Sequence, residues 1–195
     1  MDVTALIRNQ TDRLRGLDFL EFSSPEDHGF DSDLVHDSAP TGGRDLARVC
    51  RDLDIAPSAR LLDIGCGRGS AIRTLLKFPF QKVDGLDVVP ELVSVARNNF
   101  RVLNESRTTI HLADASVFDG YGEYSHFYLA SPFPGAVMAQ CLERILVARE
   151  SAGAPTTLIY LNPTYDSTIM DTGRFRRTDS GRRVIDKQVL IYRSR

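Results

Sequence analysis

The sequence contains no apolar run approaching the roughly 18 to 20 residues that a membrane helix needs. Its opening, MDVTALIRNQTDRLRG, is too charged for a secretory leader. Together these absences predict a soluble, cytoplasmic protein without a membrane partner. Cysteine is scarce: Cys50, Cys66 and Cys141 form neither a CxxC metal pattern nor a secreted disulfide framework, so reduced thiols are expected. A net charge of only −2 gives the chain as a whole no electrostatic claim on nucleic acid. Internal repeats and low-complexity tracts are absent too. What remains is 195 residues, 42% hydrophobic and 26% charged, enough for one domain with a core and a short extension.

Charge is locally uneven. Arg174, Arg176, Arg177, Arg182, Arg183, Lys187, Arg193 and Arg195 crowd the C-terminal stretch, opposed there by Asp179 and Asp186. A polyanion-binding edge is one reading. Only Phe175 and Tyr192 stand among them, not the interleaved series of aromatics that base stacking would use, which favours a solvated β-hairpin whose edge is protected by charge. The segment DHGFDSDLVHD holds His28 and His36 among Asp27, Asp31, Asp33 and Asp37, but the spacing fits neither a zinc motif nor a calcium loop. It reads as a solvated lid without a metal, with His28 as a candidate general base.

Leu6, Ile7, Leu14, Leu17 and Leu20 recur at near-helical spacing, which predicts a helix within residues 1–22. A stretch rich in Pro, Gly, Ser and Asp follows, a loop or lid, and helical spacing resumes in RDLARVCRDL. From there strands are expected at 60–64, 82–87, 108–113, 124–130 and 156–161, with helices at 70–78, 90–103 and 135–150 between them. A strand pair near 174–178 and 187–193 ends the chain. Strands alternating with helices of this length require crossovers, hence an α/β sandwich with a mostly parallel sheet covered on both faces. Ligands of such sheets sit beyond the carboxyl ends of the strands, here Asp63 to Gly69, Asp87 with Val88, Asp114, and Ala130 to Pro134.

The first of these ends, LLDIGCGRGS, places Gly65, Gly67 and Gly69 between a strand and a helix. Bare backbone and helical N–H groups there suit a nucleotide-type ligand, although glycines also serve plain turns. Asp63 would repel the pyrophosphate of a dinucleotide and attract a ligand carrying an ammonium and a sulfonium, such as S-adenosylmethionine. It is equally compatible with closing a turn. Asp87 can accept both ribose hydroxyls or cap the helix that starts at Pro90. Asp114 can accept from an adenine amino group, with the Ala115 amide beside it.

LLDIGCGRGS, VDGLDVVPELVSVARNN and LADASVF together resemble the class I S-adenosylmethionine-dependent methyltransferases, from about Asp45 to the C-terminus. The resemblance implies a three-layer Rossmann-like α/β fold with a seven-stranded, mostly parallel sheet and an antiparallel last strand. It also implies that Asp63, Gly65, Cys66, Gly67 and Gly69 wrap the methionine end and ribose of the cofactor. Asp87 with Val88 would hold the ribose hydroxyls, Asp114 with Ala115 would contact adenine, and Ala130 lies beside the transferring methyl. More loosely, the stretch from His28 to Pro134 looks like small bacterial methyltransferases and protein-lysine methyltransferase relatives, whose fourth strand often ends in Asn-Pro-Phe. Ser131, Pro132 and Phe133 stand in that place here.

On the acceptor side, the Ser131 hydroxyl can orient a nucleophile, or the segment can simply turn the chain before the next helix. Tyr160, Asn162 and Tyr165 could line the acceptor pocket or pack a sheet edge, and His111 and His126 are expected in the core. The expected organisation is an N-terminal helix and lid over residues 1–44 and a methyltransferase domain over 45–195. The expected activity is methyl transfer to O or N of a small molecule, with a protein lysine as the alternative acceptor. A dinucleotide-dependent oxidoreductase and a non-enzymatic S-adenosylmethionine-binding protein are the rival readings. The oxidoreductase is disfavoured by Asp63 and by the lack of a Tyr-xxx-Lys pair.

Overall fold

Runs such as RLLDI and TLIYL alternate no polar face, the pattern of strands buried from both sides. In the computed structural model, which describes residues 10–29, 37–130, 133–153, 155–178, 183–184 and 187–195, they form one sheet. Its strands are β1 (Arg60–Ile64), β2 (Lys82–Asp87), β3 (Ile110–Leu112), β4 (His126–Leu129), β5 (Thr157–Leu161), β6 (Phe175–Thr178), β7 (Arg183–Val184) and β8 (Lys187–Ser194). Seven of them lie in the order β3-β2-β1-β4-β5-β8-β6, and β7 pairs beside β8. The first five are parallel, while β8 runs antiparallel to both β5 and β6. This is the seven-stranded, mostly parallel sheet with a reversed last strand that the sequence leads one to expect.

Helices cover both faces. On one, α1 (Arg44–Arg51), α2 (Ser70–Leu75) and α3 (Pro90–Val102) bury Leu46, Val49, Ile72, Val93, Ala96 and Phe100 against Leu61 and Ile159. On the other, α4 (Gly135–Ala152) and α5 (Asp166–Asp171) bury Met138, Leu142, Ile145 and Ile169 against Leu62, Phe127 and Leu158. Three layers follow from this alternation of inward faces along each strand. Strand order reverses at β1, which has β2 on one side and β4 on the other. The crevice beyond that reversal is where the chain concentrates its unusual backbone.

Some expectations change. The N-terminal helix ends early: residues 10–14 are helical, and Gly16, with φ 73°, takes the left-handed conformation that stops them. Leu14 is 90% exposed, so the leucine stripe is not one buried face; Leu17 and Phe19 reach the core from the extended chain that follows. Leu6 and Ile7 lie outside the described residues. The short helix α5 and strand β7 are too brief to leave a periodic signal. At the basic C-terminal edge, Arg177 pairs with Asp166 at 3.1 Å and Arg174 with Glu150. Among the described residues, no helix is long and apolar enough to cross a membrane.

Candidate active site

Strand β1 stops because its next two amides turn aside. Gly65 and Cys66 both donate to the Leu86 carbonyl, at 2.8 and 3.0 Å, which folds the chain over the end of β2. Gly69 then enters α2 at φ 84°, where a Cβ would stand 2.6 Å from the Phe100 ring. Its glycine is required by backbone and by packing against α3, and it does not line the cavity described below. Gly67, at φ 52°, is required for another reason: a Cβ there would meet the Ser38 hydroxyl at 2.5 Å.

Asp87 ends β2, and each of its oxygens takes one backbone donor, Gly67 N at 2.8 Å and Val89 N at 3.0 Å. It does not cap α3, whose N-cap is Val89. A carboxylate offers about four acceptor positions, so these two bonds leave acceptor capacity for a ligand hydroxyl. Burial holds the Asp87 carboxyl above its ordinary range, offset in part by the Val89, Gly67 and Val88 amides. Asp63 is 2% exposed, and its Oδ2 has no hydrogen-bond partner among the described residues. Burial, with the Asp87 charge nearby, pushes its carboxyl well above the usual range. It sits behind the glycine turn rather than on the cavity wall. Asp114 is exposed and closes a local turn, accepting from the Ser116 amide and hydroxyl at 2.7 Å each.

A cavity of about 300 Å³ lies over these strand ends, at the small end of ligand-sized pockets. Gly65, Cys66, Gly67, Asp87, Val88, Asp114, Ala115 and Ala130 all line it, as do Leu92, Phe133 and Val137. Two N-terminal segments supply the opposite wall: Phe19 with Glu21, and residues 37–41. Sequence reading anticipates a lid but none of these individual side chains. Phe19 has no local signal, whereas Pro40 and Gly42 mark a chain that must turn tightly. A Cβ on Gly42 would meet the Ser70 carbonyl at 2.2 Å, so that turn rests directly on the start of α2.

Other candidates go elsewhere. His28 does not line the cavity; its Nδ1 faces Glu91 on α3 at 3.8 Å. Its charge nonetheless reaches Asp87 at the end of β2, and its Nε2 is buried with no hydrogen-bond partner among the described residues. Ser131 and Pro132 lie outside the described residues. Tyr160, Asn162 and Tyr165 are also absent from the cavity wall: Tyr160 is fully buried, and Tyr165 packs in the same core beside α4. His126 is buried as expected, while His111 is only partly so. Among the described residues no cluster of His, Cys, Asp and Glu is arranged to hold a metal.

The fold and the site define an α/β protein with a ligand-sized cavity over the ends of its parallel strands. The chain matches the family model described as a methyltransferase domain over residues 61–145. It is an enzyme of methyl transfer, with S-adenosylmethionine as cofactor.

Similar solved structures include magnesium protoporphyrin IX methyltransferase from Synechocystis with bound cofactor, 18% identical, with a TM-score of 0.57 and coverage of 77% of this chain and 76% of that one. A precorrin 8W decarboxylase from Methanobacterium thermoautotrophicum is 15% identical, with a TM-score of 0.56 over 81% of this chain and 92% of that one. An rRNA methylase from Streptococcus thermophilus is 16% identical, with a TM-score of 0.52 over 76% and 90%. At such identities these show the shared fold. No curated protein matches the sequence.

The residues present fit the cofactor. Asp87 keeps acceptor positions at the cavity wall, and the desolvated Asp63 behind the turn has an unpartnered oxygen whose charge a nearby cation would stabilise.

Proposed function

We propose that the enzyme methylates an oxygen or nitrogen of a small-molecule acceptor. The observation that carries this reading is the roof: Phe19, Glu21 and residues 37–41 close over the strand ends and leave a cavity of about 300 Å³. A wall built from the chain's own N-terminal segment suits a compact acceptor better than a folded protein or duplex. In this reading residues 1–44 form the lid and 45–195 the methyltransferase domain.

Bound S-adenosylmethionine supplies a methyl group on a sulfonium, already activated toward displacement. The chain's own task is then to place and to exclude. Asp87 would take ribose hydroxyls with its remaining acceptor capacity, and Asp114 with the Ala115 amide would hold the adenine, with Val88, Leu92 and Phe133 lining the same cavity. The amides of residues 65–67 and the charge of Asp63 would receive the methionine end, and Ala130 would lie on the side of the methyl group. Ser131 orients the acceptor. In-line transfer from a positioned sulfonium draws most of its acceleration from proximity, and a base is needed only for an acceptor that must lose a proton.

The test is to incubate the purified protein with methyl-labelled S-adenosylmethionine and separate small-metabolite, protein and RNA fractions of a cell extract. Label should pass to the small-metabolite fraction. Label confined to a protein fraction would favour the lysine alternative, and label in RNA would overturn the reading.

A further inference from the structure

Asn99 is fully buried on α3, where an apolar residue would pack at no polar cost. Its carboxamide is committed instead to two separate pieces of chain. Oδ1 accepts from the Asp18 amide at 2.8 Å, and Nδ2 donates to the Asp18 carbonyl at 2.7 Å and to the Arg68 carbonyl at 3.0 Å. Asp18 precedes Phe19 and Glu21 of the N-terminal cavity wall, while Arg68 lies between Gly67 and Gly69 of the glycine turn. One buried side chain thus ties the wall to the turn.

Further contacts repeat this connection. The Arg68 guanidinium pairs with Asp18 and lies 3.9 Å from Glu21. Arg73, on α2, grips Asp12 at 2.5 and 3.0 Å and sits 4.6 Å above the Phe19 ring. The second wall segment joins the first through reciprocal Ser23–Ser38 backbone bonds of 3.1 and 2.9 Å, and Ser38 rests against Gly67. Gly43 N donates to Thr74 Oγ1 at 2.8 Å. Both segments therefore stand on residues 67–74, the stretch whose first members face the cofactor.

We propose that Asn99 is a positioning residue that transmits cofactor occupancy to the acceptor wall, so that a ligand fixing the turn at 65–69 also fixes residues 17–23. Cofactor binding then precedes acceptor binding, since the wall is complete only over an occupied turn. The inference rests on the cofactor lying at residues 65–67.

The probe is S-adenosylhomocysteine with the full-length protein, followed by calorimetry and by amide hydrogen exchange. In the wild type, the ligand should slow exchange at 17–23 and 37–41 as well as at 65–69. In Asn99→Ala, affinity should fall about tenfold, and at saturating ligand the protection should reach 65–69 but no longer 17–23. Unchanged exchange in β1 and β4 would establish that the variant is folded. Arg68→Met, which spares the buried amide, should show the same uncoupling in weaker form and replaces Asn99→Ala if that protein does not fold. Equal ligand-induced protection of 17–23 in wild type and variants would overturn the role of Asn99, as would its absence in the wild type. Protection that never appears at 65–69 despite binding would instead reject the cofactor placement.

Discussion

The Asp87 carboxylate accepts the Gly67 amide at 2.8 Å across twenty residues of sequence, so the acid that ends β2 also shapes the turn that follows β1. Its other oxygen holds Val89 N. In the function proposed above the same residue is also a ligand group, so its removal should be felt in both roles. Asp87→Ala leaves two buried amides unpaired, each costing about 1 to 3 kcal/mol, and the melting temperature should fall. Affinity for S-adenosylhomocysteine should drop at least tenfold. A 2′-deoxy analogue separates the roles, because it already lacks one ribose contact and should lose less on mutation. Equal losses for ligand and analogue would reject the ribose contact.

Gly67 and Ser38 form a second pair that can be tested. A methyl at residue 67 would stand 2.5 Å from the Ser38 oxygen, and φ 52° disfavours any side chain there. The strain alone costs roughly 1 kcal/mol, and the clash displaces the roof. Gly67→Ala should weaken S-adenosylhomocysteine about tenfold, an estimate that joins αL strain to loss of one wall contact. Adding Ser38→Gly should recover part of that loss. No recovery in the double variant would mean that the turn's backbone, not the roof, is what glycine protects.

Much of this site was legible because it is built from local signals. Strand, glycine turn, helix and terminal acid lie within short windows, and each strand end was read close to where it falls. Phe19, Asn99 and Arg68 were not legible as a set, since their meeting depends on an N-terminal chain crossing over α3 without any periodic pattern. Gly67 shows the same limit from the other side. Its need for glycine was readable, but the neighbour responsible is Ser38, which only the tertiary fold brings close. His28 shows a further limit: its neighbours Glu91 and Asp87 come from distant sequence and meet it only in the fold.

His126 should govern part of the acid stability. It is 9% exposed, with Nδ1 2.9 Å from the Ser125 hydroxyl, and burial with the Arg193 and Arg149 charges pushes its imidazole down to about 4 from 6.5. A depressed folded value means that the unfolded chain takes up the proton first. The stability from the neutral ring is therefore present above pH 6.5 and lost as pH falls through about 4, up to roughly 3 kcal/mol. Denaturant melts from pH 7 to 4 should show a steeper decline in wild type than in His126→Gln. Parallel curves would exclude the histidine as the source.

Asp63 carries the opposite sign. Its carboxyl is raised by burial and by Asp87, so the protonated form is the one the empty fold favours. That contribution is complete below the ordinary carboxyl value, about 3.9, and is lost as pH rises through the elevated folded value. Asp63→Asn, which removes the titration, should gain stability over wild type progressively as pH increases, measured without ligand. S-adenosylhomocysteine brings an ammonium toward the same turn and favours the ionised carboxylate, so its binding should release a proton in wild type over the pH range in which the empty site holds Asp63 protonated. Calorimetry in two buffers of different ionisation heat reads that proton directly. In Asp63→Asn the buffer dependence should shrink, and affinity should fall because the ammonium loses its counter-charge. An unchanged proton release in the variant would assign it to another group and leave Asp63 as a turn-closing residue alone.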